Sequence, residues 1–223
     1  MCKFYSAIVM KNGDLKYSPF TTSHEDIVDL FNLKDNGKEA FVRVEFSPKN
    51  EDDLHLIDKY ELELDGTECP EWYNQDLKDK TFGKLKSIVK RFILVKDKRK
   101  LLLGGIYILY DCEIEIMKNA IVYNMKSSQV NSMRENSQVN YMRENSQVNY
   151  MRENSQVDEM RDNSQVNYMW ENSQVNYMWD NSQVNCMREN SQVNYMRENS
   201  QVNEMRDNSS VKQSNDDSKH PKK

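Results

Sequence analysis

A nine-residue unit, S-Q-V-N-x-M-R-E-N, repeats from Ser128 to Val211 and constrains this chain more than any other feature. Ser128, Ser137, Ser146, Ser155, Ser164, Ser173, Ser182, Ser191 and Ser200 open its nine copies. An α-helix turns by about 100° per residue, so nine residues carry it about two and a half turns. Val130 and Val139 would then point to opposite sides, and no apolar stripe would form. Asn, Ser and Val are also mediocre helix formers. A flat strand fails as well, because an odd period under strict alternation flips faces at every copy.

A coiled path removes both conflicts. If the chain turns a corner within each copy, every Val and every Met can face one axis, which is the geometry of a β-solenoid. Ser and Val, two apart, face inward together, and Met, three beyond Val, supplies a second inward knob after a bend. Met is unbranched and adapts to a narrow core. One copy per turn leaves hardly any interior, so the expected rung holds two copies, with a three-copy rung as the alternative. Rungs would stack about 4.8 Å apart, four to five of them over the regular run.

Asn recurs at the end of each copy and again after Val, where Asp158 is the exception. Asn tolerates left-handed backbone and hydrogen-bonds locally, which suits corners; stacked Asn side chains also form ladders. The outward positions vary. Before Met stand Ser132, Tyr141, Tyr150, Glu159, Tyr168, Tyr177, Cys186, Tyr195 and Glu204; after Met stands Arg, except at Trp170 and Trp179. An acid follows each time, so one reading is a solvated, self-neutralising face. The other is a contact surface centred on Tyr168, Trp170, Tyr177 and Trp179 with Arg161 and Arg188 beside them, because clustered exposed aromatics mark binding sites.

The N-terminal part is read differently. Phe4–Lys11, a turn at Asn12-Gly13-Asp14 and Leu15–Phe20 make a hairpin. Thr22 with Glu25, or Ser23 with Asp26, forms a capping box before a short helix; this accounts for His24-Glu25-Asp26 without acid–base chemistry. Ala40–Phe46 and Tyr60–Leu64 alternate as strands, and a long helix opens at Cys69-Pro70-Glu71-Trp72 and runs to about Phe92. This is a small α+β domain over residues 1–103. Residues 104–127 are degenerate first repeats, with Ile106, Ile114, Val122 and Val130 spaced by eight and Met117 and Met125 near the Met column. The N-terminal domain is expected to cap the first rung, and the polar residues 212–223 to form a disordered tail. The fold class is mainly β.

Charge is segregated in the N-terminal part. Residues 51–71 hold nine acids and one Lys, whereas residues 78–100 hold ten bases and two acids. The bases, with Lys84, Lys86, Lys90 and Arg91 at their centre, either neutralise the acidic segment or contact nucleic acid. The net charge of −5 favours neither a polyanion mimic nor a general nucleic-acid binder. Four Cys without a CxxC and no secretory or membrane-spanning stretch read as a reduced, cytoplasmic protein. Dinucleotide, P-loop, nucleophile-elbow, HExxH and paired-Cys signatures are all missing, so no cofactor and no metal site are expected.

The repeat pattern resembles short-repeat β-solenoid proteins. NSQV-type repeats behind a small N-terminal domain are similar to uncharacterised phage and prophage proteins. Neither the five-residue nor the six-residue repeat classes match a period of nine, so hexapeptide acyltransferase activity is not implied. The expected function is non-enzymatic: a rigid solenoid surface offered to a protein partner, in a phage setting a host-directed inhibitor. The alternative places an enzyme or a nucleotide- or nucleic-acid-binding activity in the N-terminal domain, with the solenoid as scaffold. An open last rung near Val211 would permit an end-to-end homodimer.

Overall fold

A computed structural model describes residues 4–34, 40–66, 68–215 and 217–221. The chain forms two compact units, Met1–Ile93 and Leu94–Lys223.

The N-terminal unit is an antiparallel sheet with helices. Strands β1 (Ser6–Met10), β2 (Leu15–Lys16), β3 (Phe41–Pro48) and β4 (Tyr60–Leu64) lie in the order β2-β1-β3-β4. The hairpin turns where its sequence demands: Gly13 takes φ +85°, its N–H donates to the Met10 carbonyl, and Asp14 N–H donates to Asn12 Oδ1. The second strand stops at Lys16, short of the Phe20 expected; beyond it Phe20 N–H donates to Ser18 Oγ in a local turn, and Pro19 has no N–H to give a ladder. Ser23 caps helix α1 (His24–Leu30), accepting from Asp26 N–H, which selects one of the two capping options. Helix α2 (Gln75–Val89) starts later than Cys69-Pro70 proposed: Asn74 Oδ1 accepts from Leu77 N–H, and Pro70 instead closes a turn with Tyr73. Phe92 falls in the short 3₁₀ turn beyond it. Aromatic rings fill the core, with Phe46 meeting Tyr60 at 5.2 Å and Phe82 at 5.4 Å between centroids.

The second unit is a β-solenoid of about seven turns. Its strands are β5 (Ile93–Val95), β6 (Lys98–Leu103), β7 (Ile106–Tyr110), β8 (Glu113–Lys118), β9 (Ile121–Lys126), β10 (Gln129–Arg134), β11 (Gln138–Arg143), β12 (Gln147–Met151), β13 (Gln156–Met160), β14 (Gln165–Met169), β15 (Gln174–Met178), β16 (Gln183–Met187), β17 (Gln192–Met196), β18 (Gln201–Met205) and β19 (Ser210–Ser214). Even strands β6–β18 stack in parallel as one sheet of seven, and odd strands β5–β19 as another of eight. Val130 pairs with Val148 and Met133 with Met151, a register of 18 residues, so two copies make one rung. Val and Met of both sheets meet in a single core, and the repeat Ser residues are buried with them.

Val and Met are three apart yet both face inward. Alternation breaks inside each strand, and two consecutive residues, Asn and the one before Met, face outward; no corner lies between them. Corners instead follow the Arg/Trp position, where each Ser N–H donates to the carbonyl three residues earlier, as in Ser137 to Arg134 at 3.1 Å. The left-handed residue at these corners is the acid, not only the Asn. Glu135–Asn136, Glu153–Asn154, Glu171–Asn172 and Glu189–Asn190 have positive φ at both positions, the signature of type I′ turns. On the other edge only the acid does, at Glu144, Asp162, Asp180 and Glu198, as in type II′. There each acid also serves the rung before it: Asp162 Oδ2 accepts from Glu144 N–H at 2.9 Å, and Asp180 Oδ2 from Asp162 N–H at 3.0 Å. These bonds offset the cost of left-handed backbone at a residue with a Cβ.

The solenoid begins earlier and runs later than its regular copies. Leu102 pairs with Met117 in the even Met column, and Leu94 is buried in the same core, which moves the domain boundary from 103 to 93. Gly104 and Gly105, both at positive φ, turn the corner that Glu-Asn turns later. Ile114, Val122, Met117 and Met125 occupy the expected inward columns, but Ile106 does not. It pairs with Ile121, and Tyr107 aligns with Val122, because the register shifts between Tyr107 and Ile108. At the other end Ser210–Ser214 adds a strand, and Lys219 N–H donates to the Ser200 carbonyl. The first polar residues of the tail, 212–214, therefore continue the last strand, where an exposed ladder of backbone groups outweighs polar composition.

Candidate interaction surface

The two-copy rung sorts the outward residues onto two sheets. Tyr168 and Trp170 lie on the even sheet; Tyr177 and Trp179 lie on the odd one. The four residues singled out in sequence therefore form two sites, not one. Arg188 follows Trp170 by one rung on the even sheet, and Arg161 precedes Trp179 by one rung on the odd sheet.

Each site gathers residues that nine-residue spacing did not group. On the even sheet Tyr150 stacks on Tyr168 with centroids 5.3 Å apart and rings 12° from parallel. Trp170 packs against both, and the Arg152 guanidinium sits 4.2 Å from the Trp170 ring. On the odd sheet Tyr177 stacks on Tyr195 at 5.2 Å, and Trp179 lies between Arg161 and Arg197, at 6.0 and 5.1 Å. The signal that finds Tyr150, Arg152, Tyr195 and Arg197 is their place 18 residues from Tyr168, Trp170, Tyr177 and Trp179.

The Trp substitutions thus have a structural consequence. An unbroken Arg column would place like charges about one rung apart. Trp170 and Trp179 interrupt it and give neighbouring guanidinium groups an aromatic face, each such contact being worth about 0.5–1 kcal/mol when exposed. Where Tyr is replaced by Glu, the same face pairs charge directly: Arg161 binds Glu159, and Arg206 binds Glu204. What remains open to solvent is the outer part of three Tyr side chains, Tyr168, Tyr177 and Tyr195, each about two-fifths exposed (39%, 44% and 38%). Ring faces are largely taken up by neighbours, so the surface offers hydroxyls and ring edges over guanidinium groups.

Beside the aromatic column runs an amide ladder. On the even sheet Asn149, Asn167, Asn185 and Asn203 each donate to the Asn one rung earlier, at 2.8–3.0 Å, starting from Asn131. On the odd sheet Asp158 breaks the series, accepting from Asn176, Gln138 and Gln156. These Asn residues stand mid-strand and outward, so the Asn after Val belongs to a ladder and not to a corner.

The alternative basic site is mixed in charge. Lys84 and Lys86 lie on α2, with Lys90 and Arg91 in the turn after it. Lys86 pairs with Asp58 at 2.7 Å, holding that carboxyl below its usual range through the hydrogen bond and then the charge. Lys84 donates to the Gly13 carbonyl, and Arg91 Nε to that of Ile88. The acidic segment thus meets part of the basic run within one unit. His24 is buried, with Nε2 3.0 Å from the Val44 carbonyl and Nδ1 3.0 Å from Asp65. It ties α1 to the sheet. Cys69, Cys112 and Cys186 are free thiols; Cys2 lies outside the described residues.

Among the described residues no helix is long and apolar enough to cross a membrane. No family model, no curated protein and no solved structure matches this chain.

Proposed function

We propose that the chain is a non-enzymatic binding protein whose solenoid presents its outward columns to a protein partner. The observation that carries this reading is the pair of stacked Tyr columns, each with a Trp bracketed by Arg, on a scaffold of parallel backbone ladders with Asn ladders along the even sheet. Tyr and Trp supply large contact area at low conformational cost, and Arg supplies charge-assisted hydrogen bonds; these three types dominate interface energetics. Because the columns lie on two sheets, one partner engages one sheet. In its narrower form, carried by the resemblance of the repeat to phage and prophage chains, the partner is a host enzyme or defence protein and the chain its inhibitor.

Face-specific variants test this. Tyr150→Ser with Tyr168→Ser alters the even sheet, and Tyr177→Ser with Tyr195→Ser the odd one. In capture from host-cell lysate, one pair is expected to abolish recovery of a partner and the other to preserve it. Recovery unchanged by both pairs contradicts the reading. The alternative, nucleic-acid binding through Lys84, Lys86, Lys90 and Arg91, has weaker support because Lys86 already neutralises Asp58. It predicts binding that falls steeply with salt.

A further inference from the structure

The N-terminal unit contains a cleft of about 320 Å³ that the solenoid reading does not use. Its two walls differ in kind. One wall is the whole of β4, five successive residues from Tyr60 to Leu64; the other is a single face of α2, formed by Gln75, Lys78, Asp79 and Phe82. The helix positions are spaced i, i+3, i+4 and i+7, so the cleft runs along the strand and not across it.

β4 ends the sheet order, with β3 on one side only. Asp65 N–H donates to the Arg43 carbonyl at 2.9 Å, and Glu63 and Glu61 pair with Glu45 and Ser47 in the same register. Backbone groups of an antiparallel strand alternate in direction. The amides and carbonyls of Glu61 and Glu63 therefore face β3, and those of Leu62 and Leu64 face away from it. Side chains alternate too: Leu62 and Leu64 are half-buried, whereas Glu61 and Glu63 are exposed.

We propose that this cleft binds an extended peptide by strand addition to β4, with apolar residues opposite Leu62 and Leu64 and Lys or Arg opposite Glu61 and Glu63. A peptide paired in register places its alternate side chains on the same face as the residues they oppose. Those opposite Leu62 and Leu64 meet Phe82 and Tyr73 in the cleft; the intervening ones meet the two Glu residues. The cleft lining holds three acids, Glu61, Glu63 and Asp79, against one base, Lys78, which lies over the Tyr73 ring at 5.6 Å. Glu61 pairs with Lys49 at 3.0 Å, a surface pair with both ends well exposed that a basic peptide can replace. The same charges oppose a second copy of the chain, since self-pairing of β4 would set Glu against Glu.

Fluorescence anisotropy of the full-length protein with a short labelled peptide of alternating Lys and Val tests the proposal. The expected result is saturable binding that the Glu/Val counterpart does not show. Leu62→Pro removes an N–H that β3 does not use, and is expected to weaken binding about tenfold or more while the circular dichroism spectrum is kept. Glu61→Lys with Glu63→Lys should weaken it similarly. N-methylating every second peptide amide in one phase should abolish binding, and in the other phase should leave it intact. That last contrast separates strand addition from burial of side chains alone and does not depend on any variant folding. No saturation up to about 1 mM peptide, equal binding of the acidic peptide, indifference to the phase of methylation, or a concentration-dependent dimer blocking the cleft would each overturn the proposal.

Discussion

A cluster of aromatic rings fills the core of the N-terminal unit, whereas the stacked rings of the regular repeats lie outside the solenoid core. Phe4, Tyr5, Phe46 and Tyr60 are buried among one another, whereas in the regular repeats of the solenoid the apolar core is Val and Met, and the Tyr and Trp face outward. The difference follows from the space each architecture encloses. A four-stranded sheet covered by a helix leaves a wide layer that rings fill edge to face. Two sheets joined by tight four-residue corners leave a narrow one, filled by one branched and one flexible aliphatic side chain per strand. Outside, the rung repeat of about 4.8 Å lies close to the 5.2–5.3 Å at which the Tyr rings stack, so rings become ladders. The same residue type therefore reports core in one unit and surface in the other.

That contrast breaks first at the cores. Phe46→Ala is expected to destabilise the N-terminal unit by about 3–5 kcal/mol, since Phe46 meets Tyr60 and Phe82 at once. Met169→Ala should cost about 2–5 kcal/mol, but in a stack where each rung touches only its neighbours the loss stays local. Hydrogen exchange separates the two: protection lost throughout the unit for the first, and around β12, β14 and β16 for the second. A smaller effect is expected at the amide ladder. Asn167→Ala removes one bond given and one received, about 1–2 kcal/mol in total, and denaturant titration should show it. Trp170→Arg completes an Arg column from Arg134 to Arg206 and should cost about 1 kcal/mol, more at low salt than at high. A loss independent of salt would remove the like-charge account of the Trp positions.

The last expected effect appears only in alkali. Burial pushes the Tyr73 phenol up to about 12 and the Tyr5 phenol higher still. In the unfolded chain both ionise near their ordinary value of about 10. The stabilising difference is therefore fully present below about pH 10 and is lost as pH rises toward about 12. Tyr73→Phe should flatten this decline when unfolding of the N-terminal unit is followed against pH; an unchanged slope would contradict it.

Much of the solenoid was legible because its period excludes the alternatives. Val and Met inward, two copies per rung and Asn ladders all follow from nine residues that must return to one axis. The β4 strand was equally legible from alternation, and the cap before the first helix was legible as one of two candidates, Thr22 or Ser23. Other features lay beyond the pattern. Glu at a left-handed corner runs against its own preference, and only the neighbouring rung, which supplies partners for its amide and carboxylate, makes it acceptable. Leu102 takes a Met column position inside Lys98–Leu103, where the basic residues disguise the first rung. The grouping of Tyr168 with Trp179 looked natural in sequence because they are eleven residues apart. The rung separates them, because alternate copies belong to different sheets.

The division into two faces rests on the 18-residue rung, and one distance tests it. Asn131 and Asn203, both exposed, are 72 residues apart on the even sheet. Spin labels at Asn131→Cys and Asn203→Cys, in a chain whose native Cys residues are replaced by Ser, report their separation by pulsed dipolar spectroscopy. Four rungs between them predict about 19 Å. A separation near 38 Å, as one copy per rung requires, or a broad unstructured distribution, would contradict the two-sheet solenoid and dissolve both aromatic faces.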